Sequence, residues 1–260
     1  HRNPPSVDFP SLPVNYMEYT VETAVAGSIL LASILFFLRR HTTLQALTAP
    51  RMNVVPKAFL HLRQHGKLFV SQGSVVTMAA TAIVNAANTG GLGGGGVDGA
   101  ISTAGGAVLG LAREALPVLD QRRTRIHVGD AKLTVGGDLN ADYCIHAVGP
   151  NYRVSMGLGK TSSECDALLY SAYKNALAIA QEHQFETIGF SLLSAGIFRG
   201  DRTVKHVLNI GMNAIAENDY EGLKEVHMVG YTTKEINTLV ELVKERQGVV
   251  VGGEEGQNKL

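Results

Sequence analysis

The residue types best suited to chemistry lie in a glycine-rich segment at residues 85–101, which reads NAANTGGLGGGGVDGAI. Glycine fills seven of the ten positions 90–99. Such a density costs conformational entropy on folding, and its usual physical reason is that the backbone approaches a ligand closely. The polar side chains of this segment include Asn88 and Asp98.

A second short loop has the same character. Residues 194–200 read SAGIFRG and follow an apolar run at residues 187–193. Glycine loops that lead into helices favour anions, because unpaired main-chain N–H groups and the helix dipole point at the ligand. The two loops together predict a ligand with phosphate groups, and a diphosphate flanked by two sugars fits such a pair.

Two other interpretations of the first loop explain the sequence less well: a flexible surface loop and a dinucleotide-binding fold. A flexible loop accounts for neither the strand before it nor the helix after it. Gly91, Gly93 and Gly96 satisfy the GxGxxG pattern of dinucleotide-binding folds. That fold also needs an acidic residue at the end of the second strand, about 20 residues on. The acid near that distance here, Glu114, lies in a helical stretch.

Both loops need a scaffold, and the pattern from residue 67 onward predicts one. Short apolar runs alternate with stretches of helical period, which is typical of a layered α/β domain. Six strands are predicted, at residues 67–71, 81–85, 131–135, 143–148, 187–193 and 226–231. The last helix starts at a capping-box pattern, Thr232 to Glu235. In open α/β sheets ligands bind outside the carboxyl ends of the strands, so the two loops are expected to face each other across a crevice.

The N-terminal part of the chain has a different composition. Residues 1–20 contain four prolines among polar residues and predict a disordered arm. Residues 21–40 predict an apolar helix around an uncharged run at 24–38, which is either a membrane anchor, a targeting segment or a helix packed on the domain. The run is shorter than the ~20 residues that cross a bilayer comfortably. An anchor would place the folded domain on the cytoplasmic side, and a targeting segment would direct it to an organelle.

The remaining boundaries follow from composition. Residues 41–59 are predicted to be a linker, residues 60–247 the folded domain and residues 248–260 a disordered tail. Lys plus Arg equals Asp plus Glu at 23 each, and no basic stripe is evident, so a sequence-specific nucleic-acid partner is not expected. Cys144 and Cys165 have no metal-binding spacing, and neither a metal site nor a cofactor is predicted. His146 lies in an apolar run and is expected to be a core histidine.

Five motifs resemble those of the macrodomain family, whose members bind ADP-ribose. They are AIVNAAN (82–88), GGGGVDGAI (93–101), GDAKLTVGGDL (129–139), IHAVGP (145–150) and SAGIF (194–198). The likeness covers about residues 67–243 and is closest to the MacroD-like ADP-ribosyl hydrolases. It implies a monomeric α/β domain, a three-layer α/β/α sandwich with a mixed, mostly parallel six-stranded sheet.

The resemblance also implies roles for individual residues. Asn88 would hydrogen-bond the distal ribose and Asp98 would hold the attacking water, so these two are the predicted catalytic residues. The predicted ligand-binding residues are Ser74, Val75, Asn88, Gly93, Gly94, Gly95, Gly96, Val97, Ser194, Ala195, Gly196, Ile197, Phe198 and Tyr231. Residues 93–97 would wrap the distal ribose and one phosphate, residues 194–198 would cradle the diphosphate, and Tyr231 would stack on adenine. Purely structural roles remain open: a turn for Asn88, helix-dipole stabilisation for Asp98 and core packing for Tyr231.

Two positions depart from the family pattern. Ser74 stands where the family has an aspartate that accepts the adenine amine, and a neutral hydroxyl is a weaker acceptor than a carboxylate. Ser102 stands where many MacroD-like members have a histidine.

Two functions are therefore expected as alternatives. One is a hydrolase that removes mono-ADP-ribose from acidic side chains of proteins or deacetylates O-acetyl-ADP-ribose. The other is a non-catalytic reader of ADP-ribosylated proteins or poly-ADP-ribose. Asn88 and Asp98 favour the hydrolase, whereas Ser74 and Ser102 favour the reader. The expected partner is ADP-ribose or an ADP-ribosylated protein.

Overall fold

The structure is a computed structural model that describes residues 54–251. The predicted arm at residues 1–20, the apolar helix at 21–40 and most of the predicted linker lie outside the described residues. The structure therefore does not describe the segment for which a membrane anchor was one of the predicted alternatives. Within residues 54–251, no helix has both the length and the apolar character needed to cross a membrane.

A mixed sheet of seven strands forms the middle layer of the described part. The strands are β1 Val54–His61, β2 Lys67–Gly73, β3 Ala82–Ala86, β4 Ala131–Val135, β5 Tyr143–Ala147, β6 Thr187–Phe190 and β7 Glu225–Gly230. Their order across the sheet is β1-β2-β7-β6-β3-β5-β4. The five inner strands pair in parallel, and the two outer strands, β1 and β4, pair antiparallel. The predicted mixed, mostly parallel sheet is confirmed, with one strand more than the six expected.

The additional strand, β1, corrects the predicted linker at residues 41–59. Val54–His61 is an edge strand, and most of its side chains are exposed, so its sequence lacks the apolar alternation that predicts a strand. The register shifts between Pro56 and Ala58, consistent with the confinement of proline to edge strands and bulges. The folded domain therefore includes Val54, six residues before the predicted boundary at residue 60.

Within the described range, five α-helices and two short 3-10 helices connect the strands. The helices are α1 Gly96–Glu114, α2 Tyr152–Gly157, α3 Ser162–Glu182, α4 Val204–Glu217 and α5 Thr233–Val251. The 3-10 helices are Val75–Thr77 and Ile197–Arg199. The predicted capping box before α5 is confirmed: the Thr232 N–H donates to Glu235 Oε2 (2.8 Å) and the Glu235 N–H donates to Thr232 Oγ1 (3.3 Å). Helix α5 continues to Val251, past the predicted domain end at residue 247.

Hydrophobic cores on the two faces of the sheet establish the three layers. On one face, Val84 and Ile188 of the sheet share a core cluster with Leu169 of α3, Leu208 of α4 and Leu239 of α5. A smaller cluster on the other face packs α1 against the sheet, and it includes Ile83, Cys144, Val229, Ile101 and Leu109. The predicted α/β/α sandwich is confirmed. Because β3 and β6 are neighbours in the sheet, the two glycine loops that follow them lie side by side at one edge.

Candidate functional site

The two glycine loops form the walls of a cleft that has two contiguous cavities. The β7 cavity has a volume of about 500 Å³ and is lined by residues that include Ser74, Val75, Tyr231 and Glu235. The β3 cavity has a volume of about 370 Å³ and is lined by residues that include Asn88, Asp98, Ser194, Ile197 and Phe198. The two cavities share Gly96, Val97, Leu192 and Gly196. The cleft is therefore elongated and runs from the end of β7 to the end of β3.

The glycine run at the start of α1 is shaped for close contact. A Cβ atom on Gly94 would lie 2.9 Å from Asn88 Nδ2 and 3.1 Å from Asp98 Oδ2, so a larger residue there would displace both side chains. Gly96 has a φ of 61°, which L-residues rarely adopt. Gly95, the N-cap of α1, has no side chain to cap the helix. The first N–H groups of α1 can therefore bind an anion in the cleft.

Asn88 holds the first loop in shape and also faces the β3 cavity. Its Oδ1 accepts hydrogen bonds from the main-chain N–H groups of Gly90 (3.0 Å) and Gly91 (3.2 Å). Its Nδ2 donates to the Gly93 carbonyl at 2.8 Å and lies 3.5 Å from Asp98 Oδ2. The side chain thus has the structural role left open by the sequence and is in position to contact a ligand.

Asp98 is almost wholly buried, with 3% of its surface exposed. Its Oδ1 accepts from Asn85 Nδ2 at 2.7 Å and pairs with Arg113 Nη2 at 2.8 Å. Its Oδ2 lies 3.5 Å from Asn88 Nδ2, and both residues line the β3 cavity. A buried carboxylate is stable only when it is paired, and here one oxygen carries the pairing while the other faces the site.

Arg113 belongs to the site, although nothing in the sequence pattern predicted it there. It is 1% exposed and lies 15 residues from Asp98, a separation of about 22 Å along a continuous helix. The contact forms because α1 is broken at Gly106, whose φ of 64° and ψ of −161° are non-helical. An arginine in the last turn of a helix usually interacts with the helix dipole, and its position along the chain indicated only that role.

Arg113 ties the first loop to the first half of α1. Its Nε donates to the Gly91 carbonyl, and its Nη1 donates to Ser102 Oγ at 2.8 Å. Ser102 Oγ in turn donates to the Asp98 carbonyl at 2.8 Å. Ser102 lines neither cavity, so its hydroxyl contacts Arg113 and the Asp98 carbonyl rather than the interior of the cleft.

A buried polar layer lies behind Asp98 and contains His146. Asn85 Nδ2 lies 3.1 Å from His146 Nδ1, and Thr134 Oγ1 lies 2.9 Å from His146 Nε2. Burial lowers the pKa of His146 to about 3, and the charge of Arg113 acts in the same direction. The prediction of a core histidine is confirmed. Burial likewise raises the pKa of Cys144 to about 12, so this thiol is not a nucleophile.

The second loop contributes backbone more than side chains. Ser194 has a φ of 55°, and its hydroxyl donates to the Pro150 carbonyl at 2.8 Å. Ile197 is 92% exposed at the rim of the β3 cavity. Of the predicted ligand-binding residues, only Gly93 and Ala195 line neither cavity. The Gly93 carbonyl accepts a hydrogen bond from Asn88 Nδ2, and Ala195 is buried.

The β7 cavity has a more exposed rim. Tyr231 is 80% exposed, which excludes the alternative that it packs in the core. Ser74 Oγ accepts from the Val76 N–H at 3.3 Å and so caps the 3-10 helix Val75–Thr77. Glu235 was not predicted as a site residue, because its capping-box pattern already accounted for it. Its Oε2 accepts from the N–H groups of Tyr231 (3.0 Å) and Thr232 (2.8 Å).

Comparisons with known proteins show which family and which solved structures the chain is similar to. The Macro domain family matches residues 84–206. O-acetyl-ADP-ribose deacetylase 1 of Pantoea vagans is 38% identical over 179 residues, which are 68% of this chain and 98% of that protein. A macrodomain of Oceanobacillus iheyensis with ADP superimposes with a TM-score of 0.62 at 23% identity, covering 75% of this chain and 96% of its own, and so shows the fold. A Trypanosoma brucei macrodomain in complex with ADP-ribose has a TM-score of 0.56 at 29% identity and covers 68% of each chain.

Proposed function

Because the chain belongs to the macrodomain family, we propose that its cleft binds ADP-ribose and that the protein hydrolyses an ester of ADP-ribose. The ester is O-acetyl-ADP-ribose or mono-ADP-ribose on an acidic side chain of a protein. One observation carries the proposal: Asn88 and the cleft-side oxygen of Asp98 lie 3.5 Å apart in the β3 cavity, beside the uncapped N-terminus of α1. A relative named O-acetyl-ADP-ribose deacetylase supports it.

The shape of the cleft suggests how ADP-ribose lies in it. The adenine occupies the β7 cavity beside Tyr231, where an exposed ring offers a face for stacking. The diphosphate lies at the N-terminus of α1, between Gly96 and Gly196, which line both cavities. The distal ribose then reaches Asn88 in the β3 cavity.

The chemical step is hydrolysis of an ester bond on the distal ribose. The oxygen of a water molecule bonds to the acyl carbon, the bond from that carbon to the ribose oxygen breaks, and the ribose oxygen takes up a proton. The products are ADP-ribose and a carboxylic acid. Asp98 orients the water through Oδ2, the oxygen that Arg113 and Asn85 do not bind, while Asn88 fixes the ribose. The N–H groups at the start of α1 bind the diphosphate and so hold the ester in place beside Asp98, and positioning supplies most of the rate.

A second candidate is a non-catalytic reader of ADP-ribosylated proteins or poly-ADP-ribose. It is favoured by the same pairing that makes Asp98 stable, because Arg113 and Asn85 already occupy one oxygen of this carboxylate. Ser102 also favours the reader, because it stands where the resemblance to MacroD-like members led us to expect a histidine.

Calorimetric titration of the full chain with ADP-ribose tests the shared part of both candidates. The same protein is then incubated with O-acetyl-ADP-ribose and, separately, with a glutamate-linked ADP-ribosylated protein, and released ADP-ribose is measured by mass spectrometry. We expect binding and release. Binding without release from either substrate would select the reader, and no binding would reject both candidates.

A further inference from the structure

Among the residues that line the β7 cavity, one side chain, that of Glu235, carries a formal charge. The other polar side chains there besides Tyr231 are the hydroxyls of Ser74 and Ser191, and both already have hydrogen-bond partners. Ser74 Oγ accepts from the Val76 N–H (3.3 Å), and Ser191 Oγ donates to the Val84 carbonyl (2.7 Å). Glu235 is therefore the strongest acceptor available to a ligand at this end of the cleft.

The carboxylate of Glu235 is held in place by the start of α5. Both of its main-chain hydrogen bonds, from Tyr231 and Thr232, fall on Oε2, and within residues 54–251 none falls on Oε1. One of the two donors belongs to Tyr231, the residue positioned to stack on a base. The acceptor and the stacking ring are thus fixed to each other through a short stretch of backbone, which limits the entropy lost when a ligand binds.

We infer that Glu235 accepts a hydrogen bond from the exocyclic amine of adenine and makes the site selective for adenine over hypoxanthine. The inference rests on the proposed function, because it requires the base to lie in the β7 cavity. Hypoxanthine has a carbonyl oxygen where adenine has the amine, and a carboxylate repels that oxygen. Glu235 thereby supplies the negative charge that Ser74 lacks.

The test compares the affinities of the full chain for ADP-ribose and for inosine diphosphate ribose. The variant is Glu235→Gln, because glutamine keeps one oxygen for the capping box, removes the charge and replaces the other carboxylate oxygen by an NH2 donor. Glu241→Gln is the matched control. Glu241 lies on the same helix, is exposed and pairs with Lys205, so this variant changes the net charge equally at a distance from the cleft.

We expect the parent to prefer ADP-ribose by about tenfold, and Glu235→Gln to reduce this preference to about twofold, as the loss of one charge-assisted hydrogen bond implies. Glu241→Gln keeps the parental ratio. Thermal melts of all variants show that the ratios come from folded protein.

The outcomes separate this inference from the function on which it rests. If the parent prefers ADP-ribose and Glu235→Gln keeps that preference, Glu235 is not the acceptor; loss of preference in Ser74→Ala would assign the role to Ser74. A parent that binds both nucleotides equally would overturn the inference and leave the proposed function standing. A parent that binds neither would overturn both.

Discussion

The two ends of the cleft differ in how far their functional side chains are buried and in which groups bind them. At the β3 end, the charged groups Asp98 and Arg113 are 3% and 1% exposed, and Asn85 bonds to the same carboxylate oxygen as the arginine. At the β7 end, Tyr231 is exposed, and the carboxylate of Glu235 accepts hydrogen bonds from main-chain N–H groups at its own helix start.

This difference has an energetic consequence. Buried charges are tolerated only as complete pairs, so a change at the β3 end alters stability as well as function. Partly exposed groups contribute less to the free energy of unfolding, so a change to an exposed side chain such as Tyr231 at the β7 end should alter affinity more than stability.

The largest expected effect comes from Asp98→Asn, which removes the carboxylate charge at the β3 end of the cleft. If Asp98 orients the attacking water, release of ADP-ribose falls by about 100- to 10,000-fold while ADP-ribose affinity changes by less than about threefold. Arg113 loses its charged partner, so the free energy of unfolding also falls, by about 3 kcal/mol. Turnover assays, calorimetry and urea denaturation measure the three quantities.

A stability control separates the two effects in Asp98→Asn. Leu208 is a buried residue of α4 that lines neither cavity, and Leu208→Ala should destabilise the fold by about 2 to 5 kcal/mol. It should hydrolyse at the parental rate under conditions where it is folded. A folded Asp98→Asn protein that also hydrolyses at the parental rate would limit Asp98 to a structural role.

The next largest effect tests the break in α1 that brings Arg113 to Asp98. Gly106→Ala should destabilise the protein by about 2 to 3 kcal/mol, because the φ and ψ of this residue are accessible essentially to glycine alone. Gly110→Ala, at an exposed helical position with no neighbouring atom within 4 Å of the added Cβ, should instead stabilise it by about 0.5 to 1 kcal/mol. Equal effects in the two variants, measured by urea denaturation, would show that the break is not needed.

A third prediction uses the buried layer behind Asp98. The folded-state pKa of His146 is about 3 and its unfolded value is about 6.5, so below pH 6.5 the unfolded chain binds a proton that the folded chain does not. Its contribution to stability is complete above pH 6.5 and is lost as the pH falls toward 3. The parent should lose about 2 kcal/mol from this residue between pH 7 and pH 5.

The comparison of two proteins isolates the histidine in that pH dependence. Burial lowers the pKa of His227 as well, and His146→Gln retains His227. The difference in unfolding free energy between pH 7 and pH 5, measured in urea, should therefore shrink by about 2 kcal/mol in His146→Gln. Parallel pH profiles in the two proteins would mean that His146 is protonated in the fold.

The smallest expected effect comes from removing the exposed aromatic ring at the β7 end of the cleft. Tyr231→Ala should weaken ADP-ribose binding by about 1 kcal/mol, or roughly fivefold, through loss of stacking on adenine. Because this side chain is exposed, the free energy of unfolding should stay within about 0.5 kcal/mol of the parent. Tyr231→Phe keeps the ring and should bind as the parent does. Equal affinity of Tyr231→Ala and the parent would place the base elsewhere.

The sequence predicted the sheet class, six of the seven strands and the positions of both glycine loops. It missed β1, because an edge strand with mostly exposed side chains has no apolar alternation. All but two of the ligand-binding residues that it predicted line one of the two cavities. It missed Arg113 and Glu235, since the local position of each already had an ordinary structural role: a helix end for one and a capping box for the other.

By itself the sequence determined what depends on a few neighbouring residues: the loop at residues 90–99, the capping box at Thr232 and the alternation of strands and helices. Spacing along the chain sets these directly, because turns, caps and periodic faces are short-range geometry. Only the tertiary structure decided which distant groups meet. Arg113 reaches Asp98 because the backbone breaks at Gly106, and Glu235 reaches the cleft because β7, which precedes α5, lies between β2 and β6 in the sheet. Such contacts depend on how the layers pack, which no local pattern specifies.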